Sequence, residues 1–481
     1  MESTSYTTLK ELFTTHGQGH IFDHYESLSP EGQSLLLDEA RQIDPALTNR
    51  LYRDLVNSHA PAKSSEGGRG FLPIELEMVQ DRSQLGEGER EIGNALIREG
   101  SVAVVVLAGG QGTRLGSDRP KGEYNIGLPS GKSIFQILTE RYIKAQQLAG
   151  GAVQKCKLLI MTSELNHKQT IQFYEENHFF GAVKENVIFF MQSMIPLISS
   201  SNGKIIMEEP HKISIGPNGN GALFDAVQRY PEVKAVIESV KYVQVIGVDN
   251  VLNRLLDPLF IGFTHQNQLQ ASMKSCVKRD ATEPVGAVMK RVQEDGSTMY
   301  DIVEYSEITK EDATAINPAT GELKFNLGNI LVFLIRADLL MKLCKNVETL
   351  NSLYHKAHKK VPFWDFEQNA LIKPTAPNCW KFELFIHNFL PFCEPGSFGV
   401  LKVSREDEFG PVKNAEGVDS PQTARDLIFG QGQRWLSKAG ATVAEGVKVE
   451  LDVMLSYEGE GLEEKYAGKE IGEQGAATYI K

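Results

Sequence analysis

The chain has 481 residues, of which 41% are hydrophobic and 23% are charged. This composition is typical of a soluble globular protein with a large core, and it excludes disordered chains, collagens and small disulfide scaffolds. The 50 Lys and Arg residues against 62 Asp and Glu residues give a net charge of −12. Because no basic cluster interrupts this acidic balance, we expect no nucleic acid among the partners.

The sequence also bears on membranes and on location. The longest purely apolar run, residues 102–108, is much shorter than the ~20 residues that a membrane-spanning helix needs. The N-terminus lacks the basic start and apolar stretch of a secretory signal, and no Asn-x-Ser/Thr acceptor occurs. The five cysteines are scattered, without a Cys-x-x-Cys pair, so we expect reduced packing residues. These features predict a cytoplasmic protein with no membrane partner.

The N-terminal segment is predicted to be helical. Ser29 and Pro30 are typical of a helix start, and apolar residues then recur at helical spacing at Leu36, Ala40, Ile43 and Leu47. Residues 63–70, rich in glycine and serine, are typical of a flexible connection. We therefore assign residues 1–98 to an N-terminal helical segment.

From residue 101 onward, short apolar runs alternate with amphipathic helices. The runs cover residues 102–107, 158–161, 187–191 and 242–248. Ser133 and Gln136 are spaced as a capping box at the start of a helix whose buried face carries Leu138, Tyr142 and Ala145. This alternation predicts an α/β domain over residues 99–405, built on a central, doubly wound, mostly parallel sheet. Ligands of such sheets bind at the carboxyl ends of the strands.

The C-terminal part has a different pattern. A helix is predicted after Ser420 and Pro421, and apolar and polar residues then alternate strictly over residues 447–455, as in a half-buried strand. The tail beyond Glu458 is rich in glycine and glutamate and is predicted to be loose. We assign residues 406–481 to a small α+β domain.

A glycine-rich loop follows the first predicted strand, with the sequence Leu107-Ala-Gly-Gly-Gln-Gly-Thr-Arg-Leu-Gly-Ser-Asp-Arg-Pro-Lys121. Its glycines let the backbone approach a ligand closely, and successive N–H groups can form a nest for a phosphate. A tight turn in which the glycines only supply positive φ is the alternative. Arg114 and Lys121 favour the phosphate, because two neighbouring cations repel each other unless an anion lies between them.

Two common phosphate motifs do not fit this region. A dinucleotide fingerprint requires a third glycine where the chain has Leu115 after Gly110-x-Gly112. Gly131-Lys-Ser133 is similar to the end of a P-loop, but Ile126 occupies the position of the required first glycine. We interpret Lys132 and Ser133 as the start of the next helix.

The loop nevertheless resembles the signature of sugar-nucleotide pyrophosphorylases, specifically that of the eukaryotic UDP-N-acetylhexosamine pyrophosphorylases. Further stretches resemble the same family in the same order: Pro217-Asn-Gly-Asn-Gly221, Val248-Asp-Asn250, Glu283-Pro-Val-Gly286, Val303-Glu-Tyr-Ser306, Gly328-Asn329 and Arg405-Glu-Asp-Glu-Phe-Gly-Pro-Val-Lys-Asn414. The resemblance covers residues 100 to 415, most of the chain. It implies a sheet of the nucleotide-diphosphosugar transferase type.

The reaction that the resemblance implies is the attack of N-acetylglucosamine 1-phosphate on the α-phosphorus of UTP, giving UDP-N-acetylglucosamine and pyrophosphate, with Mg²⁺ as cofactor. Such a transfer needs positioning and charge stabilisation rather than a protein nucleophile. The catalytic residues implied are Arg114 and Lys121 on the pyrophosphate, and Lys413 on the nucleotide phosphates. Asp249, directly after a predicted strand, is implied to bind the metal. Glycosyltransferases with Asp-x-Asp motifs hold a metal at the same place, so Asp249 alone does not separate the two classes.

The resemblance also implies the substrate contacts. Leu107, Ala108, Gly109 and Gly110 belong to the phosphate loop. The implied uracil contacts are Gln192, Gly219 and Asn220, and the implied sugar contacts are Gly286, Glu304, Tyr305, Asn329 and Phe385. Glu304 can accept hydrogen bonds from sugar hydroxyls, and the Asn329 amide can pair with an N-acetyl group.

One departure from the family pattern bears on the sugar. His387 and Asn388 stand where the family has an aromatic residue and an acid. Two alternatives therefore stay open: a pyrophosphorylase for UDP-glucose or for a broad range of UDP-sugars, and a non-catalytic UDP-sugar sensor. Asn329 favours an acetylated sugar, and the Arg114 and Lys121 pair favours catalysis.

Overall fold

The structure is a computed structural model that describes residues 5–57, 70–151, 153–472 and 477–481. Apart from Gly70, the connection predicted at residues 63–70 lies outside the described residues. The chain forms two compact units. The first unit consists of Met1–Ala62, Gln192–Arg229 and Leu343–Asn388, and the second of Lys63–Met191, Tyr230–Lys342 and Phe389–Lys481. The domain boundaries after residues 98 and 405 stay predictions.

The α-helices are, in chain order, α1 (Tyr6–Thr15), α2 (Pro30–Ala40), α3 (Pro45–Tyr52), α4 (Glu87–Glu99), α5 (Ile134–Leu148), α6 (His167–Glu176), α7 (Leu223–Arg229), α8 (Pro231–Ser239), α9 (Pro258–Gln266), α10 (Lys310–Thr314), α11 (Ala337–Lys345), α12 (Arg405–Glu408), α13 (Pro421–Lys438) and α14 (Leu462–Tyr466). The β-strands are β1 (Phe71–Leu72), β2 (Val79–Asp81), β3 (Val102–Leu107), β4 (Lys157–Thr162), β5 (Val187–Met191), β6 (Met194–Pro196), β7 (Ile198–Ser199), β8 (Met207–Glu209), β9 (Lys212–Ile213), β10 (Ile215–Pro217), β11 (Tyr242–Gly247), β12 (Ala271–Val277), β13 (Ala287–Val292), β14 (Thr298–Val303), β15 (Leu327–Arg336), β16 (His355–Lys359), β17 (Phe363–Asp365), β18 (Ala370–Ile372), β19 (Cys379–Glu383), β20 (Phe398–Lys402), β21 (Thr442–Val443), β22 (Lys448–Leu451), β23 (Glu470–Ile471) and β24 (Ala477–Ile480).

A large mixed sheet forms the core of the second unit. Its strand order is β2-β20-β12-β15-β11-β3-β4-β5. β15 is antiparallel to both neighbours, whereas the other strands of this path run in one direction. The β13–β14 hairpin joins the start of β15, and β1 pairs with β13. The carboxyl ends of the parallel strands therefore lie at one edge, together with the amino end of β15.

The predicted α/β fold with a mostly parallel sheet is confirmed, and the four predicted apolar runs coincide with β3, β4, β5 and β11. Every residue of β3 and of β11 is buried, as a continuous apolar run predicts for a strand covered on both faces. Helices flank the sheet. α4 and α9 approach each other closely, because a Cβ at Gly93 would lie 2.0 Å from the carbonyl oxygen of Pro258 and one at Gly262 would lie 1.8 Å from that of Glu89.

Ser133 begins α5 as predicted, but the capping box is only half formed. The Ser133 side chain accepts a hydrogen bond from the Gln136 N–H at 3.2 Å. The Gln136 side chain instead donates to Glu140 at 2.9 Å, one turn along the helix. The bond to Glu140 turns the Gln136 amide along the helix, so its oxygen does not accept from the Ser133 N–H as a capping box requires.

The first unit contains helices α1 to α3 and α7 and a group of small sheets, of which the largest has the order β16-β19-β7. The N-terminal segment is helical, as predicted, but the helical period is interrupted between Ala40 and Leu47. α2 ends at Ala40, and Asp44 starts α3 by accepting hydrogen bonds from two backbone N–H groups. Pro45 follows at the first turn, so a second cap and proline restart the helix.

The C-terminal part differs from the prediction in two ways. The strand predicted over residues 447–455 is shorter: β22 ends at Leu451, because the Asp452 side chain accepts from the Met454 N–H at 2.7 Å and makes a turn. Glu450 and Asp452 are buried rather than facing solvent. The tail predicted to be loose carries α14, β23 and β24, and β24 pairs in parallel with β22.

All five cysteines are buried and free, as predicted. Among the residues that the structure describes, no helix is both long and apolar enough to cross a membrane.

Candidate functional site

The glycine loop leaves the carboxyl end of β3 and returns on itself. Ala108 N–H donates to the carbonyl of Met161 on β4 at 2.7 Å, which extends the pairing of the strands. Farther along, the Gly112 N–H donates to the Arg119 carbonyl at 3.0 Å, and the Lys121 N–H donates to the Gly110 carbonyl at 3.2 Å. The two ends of the loop are therefore held together, and Lys121 lies beside the glycines that precede it by sequence.

The glycines of this loop serve different purposes. A Cβ at Gly112 would meet the Arg119 carbonyl and Ser117 at about 3.1 Å, so the close packing of the loop itself favours a glycine there. Gly110 has no positive φ, and a Cβ at this position would meet no protein atom within 4 Å. Gly116 alone of these three has a positive φ, of 71°. The alternative in which the loop glycines only supply positive φ is thus wrong for Gly110 and Gly112, and the space beside Gly110 would allow a ligand to approach the backbone.

Asn166 holds the loop in place, although sequence reasoning did not identify it. Its buried side-chain amide donates to the Ala108 carbonyl at 2.9 Å, and its Oδ1 accepts from the Ser163 N–H at 2.8 Å. Asn166 stands at the start of α6 but makes no side-chain cap bond there. The helix start was visible in the sequence as an Asn before an amphipathic stretch, but the contact with Ala108 depends on the β3–β4 pairing.

Asp249 follows β11 at the same edge of the sheet, as predicted, and a ladder of hydrogen bonds brings Lys413 next to it. The Val412 N–H donates to the Asp249 carbonyl at 2.8 Å. The Asn250 side chain accepts from the Gly410 N–H at 2.9 Å and donates to the Glu408 carbonyl at 2.7 Å. Asn250 thus joins the segment after β11 to residues 408–410. Sequence reasoning also missed Asn250 as a functional group.

The predicted charged residues of the second unit interact electrostatically. Burial lowers the pKa of Lys121, Asp249 opposes this shift, and the positive charges of Lys413 and Arg114 add to it. Within the described residues, Lys121 forms no ion pair at contact distance, while the Lys413 ammonium lies 3.7 Å from Asp419. The structure therefore brings Lys121 near two further cations and near the carboxylate of Asp249, with Asp419 beside Lys413. An anion would relieve the repulsion among the three cations.

Three of the predicted sugar contacts also lie together at this edge. The Asn329 N–H donates to the Gly286 carbonyl at 2.8 Å, and the Asn329 Oδ1 accepts from the Leu331 N–H at 2.9 Å. A Cβ at Gly286 would lie 3.0 Å from Oε1 of Glu304, so that carboxylate lies over the glycine. Tyr305 is 56% exposed, and its role as a sugar contact stays a prediction.

The predicted uracil contacts and Phe385 belong to the first unit. Gln192 is buried. Gly219 has a φ of 82°, and a Cβ there would lie 2.3 Å from the Leu384 carbonyl, so only glycine fits. The Asn220 Oδ1 accepts from the Ile386 N–H at 2.7 Å. These contacts bring the turn at residues 219–220 against the segment that carries Phe385.

His387 and Asn388 are both buried in the first unit. The Asn388 Oδ1 accepts from the Phe385 N–H at 2.7 Å, so this amide supports the backbone. His387 lies 5.2 Å from the Phe385 ring, and burial lowers its pKa to about 3, with a further contribution from His355. The imidazole is therefore neutral at physiological pH.

The donor set near Asp249 fits a metal that is shared with a substrate. No group of three or more His, Cys, Asp or Glu side chains in the described part of the chain could hold an ion by itself. Mg²⁺ commonly binds through one or two carboxylates and completes its shell with phosphate oxygens and water. A single partly exposed aspartate near the cation Lys121 is compatible with that requirement.

The chain is similar to known proteins over most of its length. Residues 51–449 match the family described as UTP–glucose-1-phosphate uridylyltransferase. The chain is 36% identical to the UDP-N-acetylglucosamine pyrophosphorylase of Saccharomyces cerevisiae, over 96% of this chain and 98% of the yeast protein. It is 36% identical to the human UDP-N-acetylhexosamine pyrophosphorylase-like protein 1, over 95% and 94% of the two chains. The crystal structure of the Trypanosoma brucei UDP-N-acetylglucosamine pyrophosphorylase superposes with a TM-score of 0.83 at 27% identity, covering 100% of this chain and 99% of that one.

Proposed function

Because the chain belongs to the UTP–glucose-1-phosphate uridylyltransferase family, we propose that it transfers the uridylyl group of UTP to N-acetylglucosamine 1-phosphate. The substrates of the family are UTP and a sugar 1-phosphate, and the products are a UDP-sugar and pyrophosphate. The chain is a nucleotidyltransferase. The names of its relatives in yeast and human support an acetylated hexosamine as the sugar.

The observation that carries the proposal is the set of charges at the carboxyl edge of the sheet. Lys121 interacts electrostatically with Arg114, with Lys413 and with Asp249, and the glycine loop that carries Lys121 offers backbone N–H groups. A pyrophosphate leaving group carries several negative charges, and preorganised cations stabilise such a group as its charge develops. A binding module would gain little from cations directed at a leaving group.

In the proposed mechanism, a phosphate oxygen of the sugar 1-phosphate attacks the α-phosphorus of UTP in line. The bond from that phosphorus to the α,β-bridging oxygen breaks, and pyrophosphate leaves with the bond's electron pair. Arg114 and Lys121 hold the β- and γ-phosphates, and Lys413 holds the nucleotide phosphates from the segment after α12. The protein thus acts by positioning and by charge stabilisation.

Mg²⁺ is part of the proposal, with Asp249 as its protein ligand. When bound, the ion would neutralise phosphate charge and polarise the phosphorus–oxygen bonds. Asp249→Asn keeps the shape of the side chain but removes its charge. We expect this variant to require more Mg²⁺ for half-maximal rate, measured by pyrophosphate release in a Mg²⁺ titration; an unchanged requirement would contradict the assignment.

The sugar pocket is proposed at the amino end of β15. Because the Oδ1 of Asn329 already accepts from Leu331, the amide NH₂ is the group that would donate to the acetyl carbonyl. Glu304 would accept from sugar hydroxyls. Gln192, Gly219, Asn220 and Phe385 of the first unit are the proposed uridine and sugar contacts, by resemblance to the family.

The test is pyrophosphate release from UTP, run in parallel with N-acetylglucosamine 1-phosphate and with glucose 1-phosphate. Release that depends on the acetylated substrate is the expected result. Equal or faster release with glucose 1-phosphate, the sugar in the family's description, would favour the broad or glucose-directed enzyme. UDP-sugar binding without release from either substrate would favour the sensor.

A further inference from the structure

A cluster of charged side chains is buried in the second unit, away from the glycine loop. We call it the ion cluster, and its members are Arg82, Arg254, Lys274, Asp257, Glu408 and Glu458. Asp257 and Glu408 are 0% and 2% exposed, and Lys274 is 1% exposed. These groups lie deep in the protein, where an unpaired charge is very costly.

Lys274 is the central cation of the ion cluster. It lies on β12 at a break in the pairing with β15, between Met273 and Ser275. Its Nζ donates to Asp257 at 2.6 Å and also to Glu408. Such a break redirects a side chain, and here the redirected lysine joins two carboxylates that come from distant parts of the chain.

Two arginines complete the connections. Arg82 lies 3.0 Å from Glu408, 3.2 Å from Asp257 and 2.7 Å from Glu458. Arg254 lies 2.8 Å from Glu458 and 3.7 Å from Glu408. Although burial raises the pKa of Asp257, these cations hold it well below its usual range. Asp257, one of the two carboxylates that contact Lys274, is thus kept charged.

Glu408 and Asp257 each lie at one end of a segment that carries a group of the proposed site. Glu408 directly precedes residues 409–413, which lead to Lys413. Asp257 starts α9 and ends the loop that begins at Asp249. The two segments are joined by the Val412 to Asp249 bond and by the Asn250 side chain. Lys274 therefore joins the side chains at one end of each segment, and the ladder of hydrogen bonds joins the backbones of the two segments.

Stability alone is a weak explanation for such an arrangement. Replacing a buried ion cluster by apolar residues of similar volume is often neutral or stabilising. What an apolar core does not supply is a fixed geometry between two particular backbone segments. A displacement of about 1 Å in a catalytic group can lower a rate by about 10²-fold, so this geometry has a direct effect on catalysis.

We propose that Lys274, held between Asp257 and Glu408, is a positioning residue that sets the spacing of Lys413 from Asp249. This inference rests on the proposed function for its effect on rate, but not for its effect on the backbone. Lys274 does not contact the substrate; it acts through the segments that its two partners begin and end.

The test compares Lys274→Met with Lys132→Met. Lys132 is a matched control, because it is a buried lysine of the same unit that also pairs with two carboxylates, Glu140 and Asp452. For each variant we would measure kcat and KM for UTP, the unfolding temperature, and hydrogen–deuterium exchange of peptides covering residues 249–253 and 409–413. Glu408→Gln, which keeps the pair between Lys274 and Asp257, is the second variant if Lys274→Met does not fold.

We expect Lys274→Met to lower kcat by about 10²-fold, with little change in KM for UTP, and to speed exchange in both peptides. Lys132→Met should lower the unfolding temperature without either effect. Equal kcat and equal exchange in the two variants would overturn the proposal. If the wild-type protein releases no pyrophosphate, the proposed function fails, and the exchange comparison still decides the positioning role: faster exchange with Lys274→Met alone supports it, and unchanged exchange overturns it.

Discussion

Lys121 and Lys132 belong to the same stretch of chain, yet their surroundings differ in charge. Lys132 directly precedes the cap of α5, and its ammonium lies 2.5 Å from Glu140 and 3.0 Å from Asp452. Burial by itself would lower the pKa of Lys132, but these carboxylates hold that pKa above its usual range. Burial lowers the pKa of Lys121, Asp249 opposes this shift, and two further cations, Lys413 and Arg114, add to it. Carboxylates contact the first lysine directly, whereas the second has no ion pair at contact distance among the described residues.

This difference separates a structural cation from a functional one. A buried ion pair with both partners present stabilises the fold relative to either partner alone. A cation directed at other cations is unfavourable for the fold, and it becomes favourable only when an anion binds. We therefore expect substitutions at the two lysines to have opposite consequences for stability and for turnover.

The largest effect is expected from Lys132→Met. Removing this cation leaves Glu140 and Asp452 buried without their partner, which costs about 3–5 kcal/mol of unfolding free energy. Denaturant unfolding measures this loss directly. Turnover by the folded fraction should stay near that of the wild type, and a variant of unchanged stability would remove the basis of the comparison.

Removing the charge of Lys121 or Arg114 should instead affect the rate. For Lys121→Met and Arg114→Ala we expect turnover to fall by about 10²–10³, equivalent to ~2.7–4 kcal/mol of barrier, with no loss of unfolding free energy. Pyrophosphate release and thermal unfolding are the two measurements.

Arg119→Ala is the matched control for these variants. Arg119 belongs to the same loop, is 69% exposed and lies 3.8 Å from Glu123. This variant should keep the wild-type rate. A rate loss at Arg119 equal to that at Arg114 would mean that the net charge of the loop, rather than its geometry, governs turnover.

The lowered pKa of Lys121 predicts an alkaline limit to activity. Lys121 must be protonated to hold the phosphates, and the folded protein loses this proton at a lower pH than an exposed lysine would. Hence kcat/KM for UTP should fall as pH rises through the folded pKa. Lys121→Arg keeps its charge and should move this decline to higher pH.

The stability of the fold should change with pH in the direction opposite to that of activity. Because the unfolded chain binds the Lys121 proton more tightly than the folded protein does, stability should rise with pH between the folded pKa and the usual lysine value. Unfolding curves of the wild type and Lys121→Met over this range would reveal it. If the unfolding free energies of the two proteins changed in parallel with pH, the lowered pKa assigned to Lys121 would be contradicted.

The smallest effect on stability is expected at Gly110. Its φ is not positive, and a Cβ would meet no protein atom within 4 Å, so Gly110→Ala should stabilise the fold by about 0.4–1 kcal/mol or leave it unchanged. The added methyl group would nevertheless occupy the side from which a phosphate approaches. We expect KM for UTP to rise; an unchanged KM would show that the loop backbone does not approach the nucleotide at this residue.

Much of the second unit was predictable from the sequence. β3, β4, β5 and β11 are continuous apolar runs, and such runs indicate buried parallel strands wherever helices alternate with them. The placement of the glycine loop and of Asp249 at the carboxyl edge follows from that order. The half-formed capping box at Ser133 and the short strand β22 were not predictable, because the Gln136 and Asp452 side chains form other hydrogen bonds within the fold.

The C-terminal tail shows where local composition misleads. The segment beyond Glu458, rich in glycine and glutamate, was predicted to be loose, but β24 pairs with β22. Glu458, which directly precedes this segment, joins Arg82 and Arg254, which lie 376 and 204 positions away in the chain. Local sequence patterns carry no information about such partners. Buried carboxylates of this kind can be identified only when the opposing cations are known.

Sequence by itself determined the α/β class, the order of strands and helices around the phosphate loop, and the residue types suited to phosphate chemistry. It did so because apolar periodicity and glycine content are local properties of the chain. Only the tertiary structure decided which charges meet. Lys121 and Lys132 are the same residue type in one stretch of the sequence. Their electrostatic surroundings differ because, in the part of the chain that the structure describes, carboxylates contact the ammonium group of Lys132 and do not contact that of Lys121.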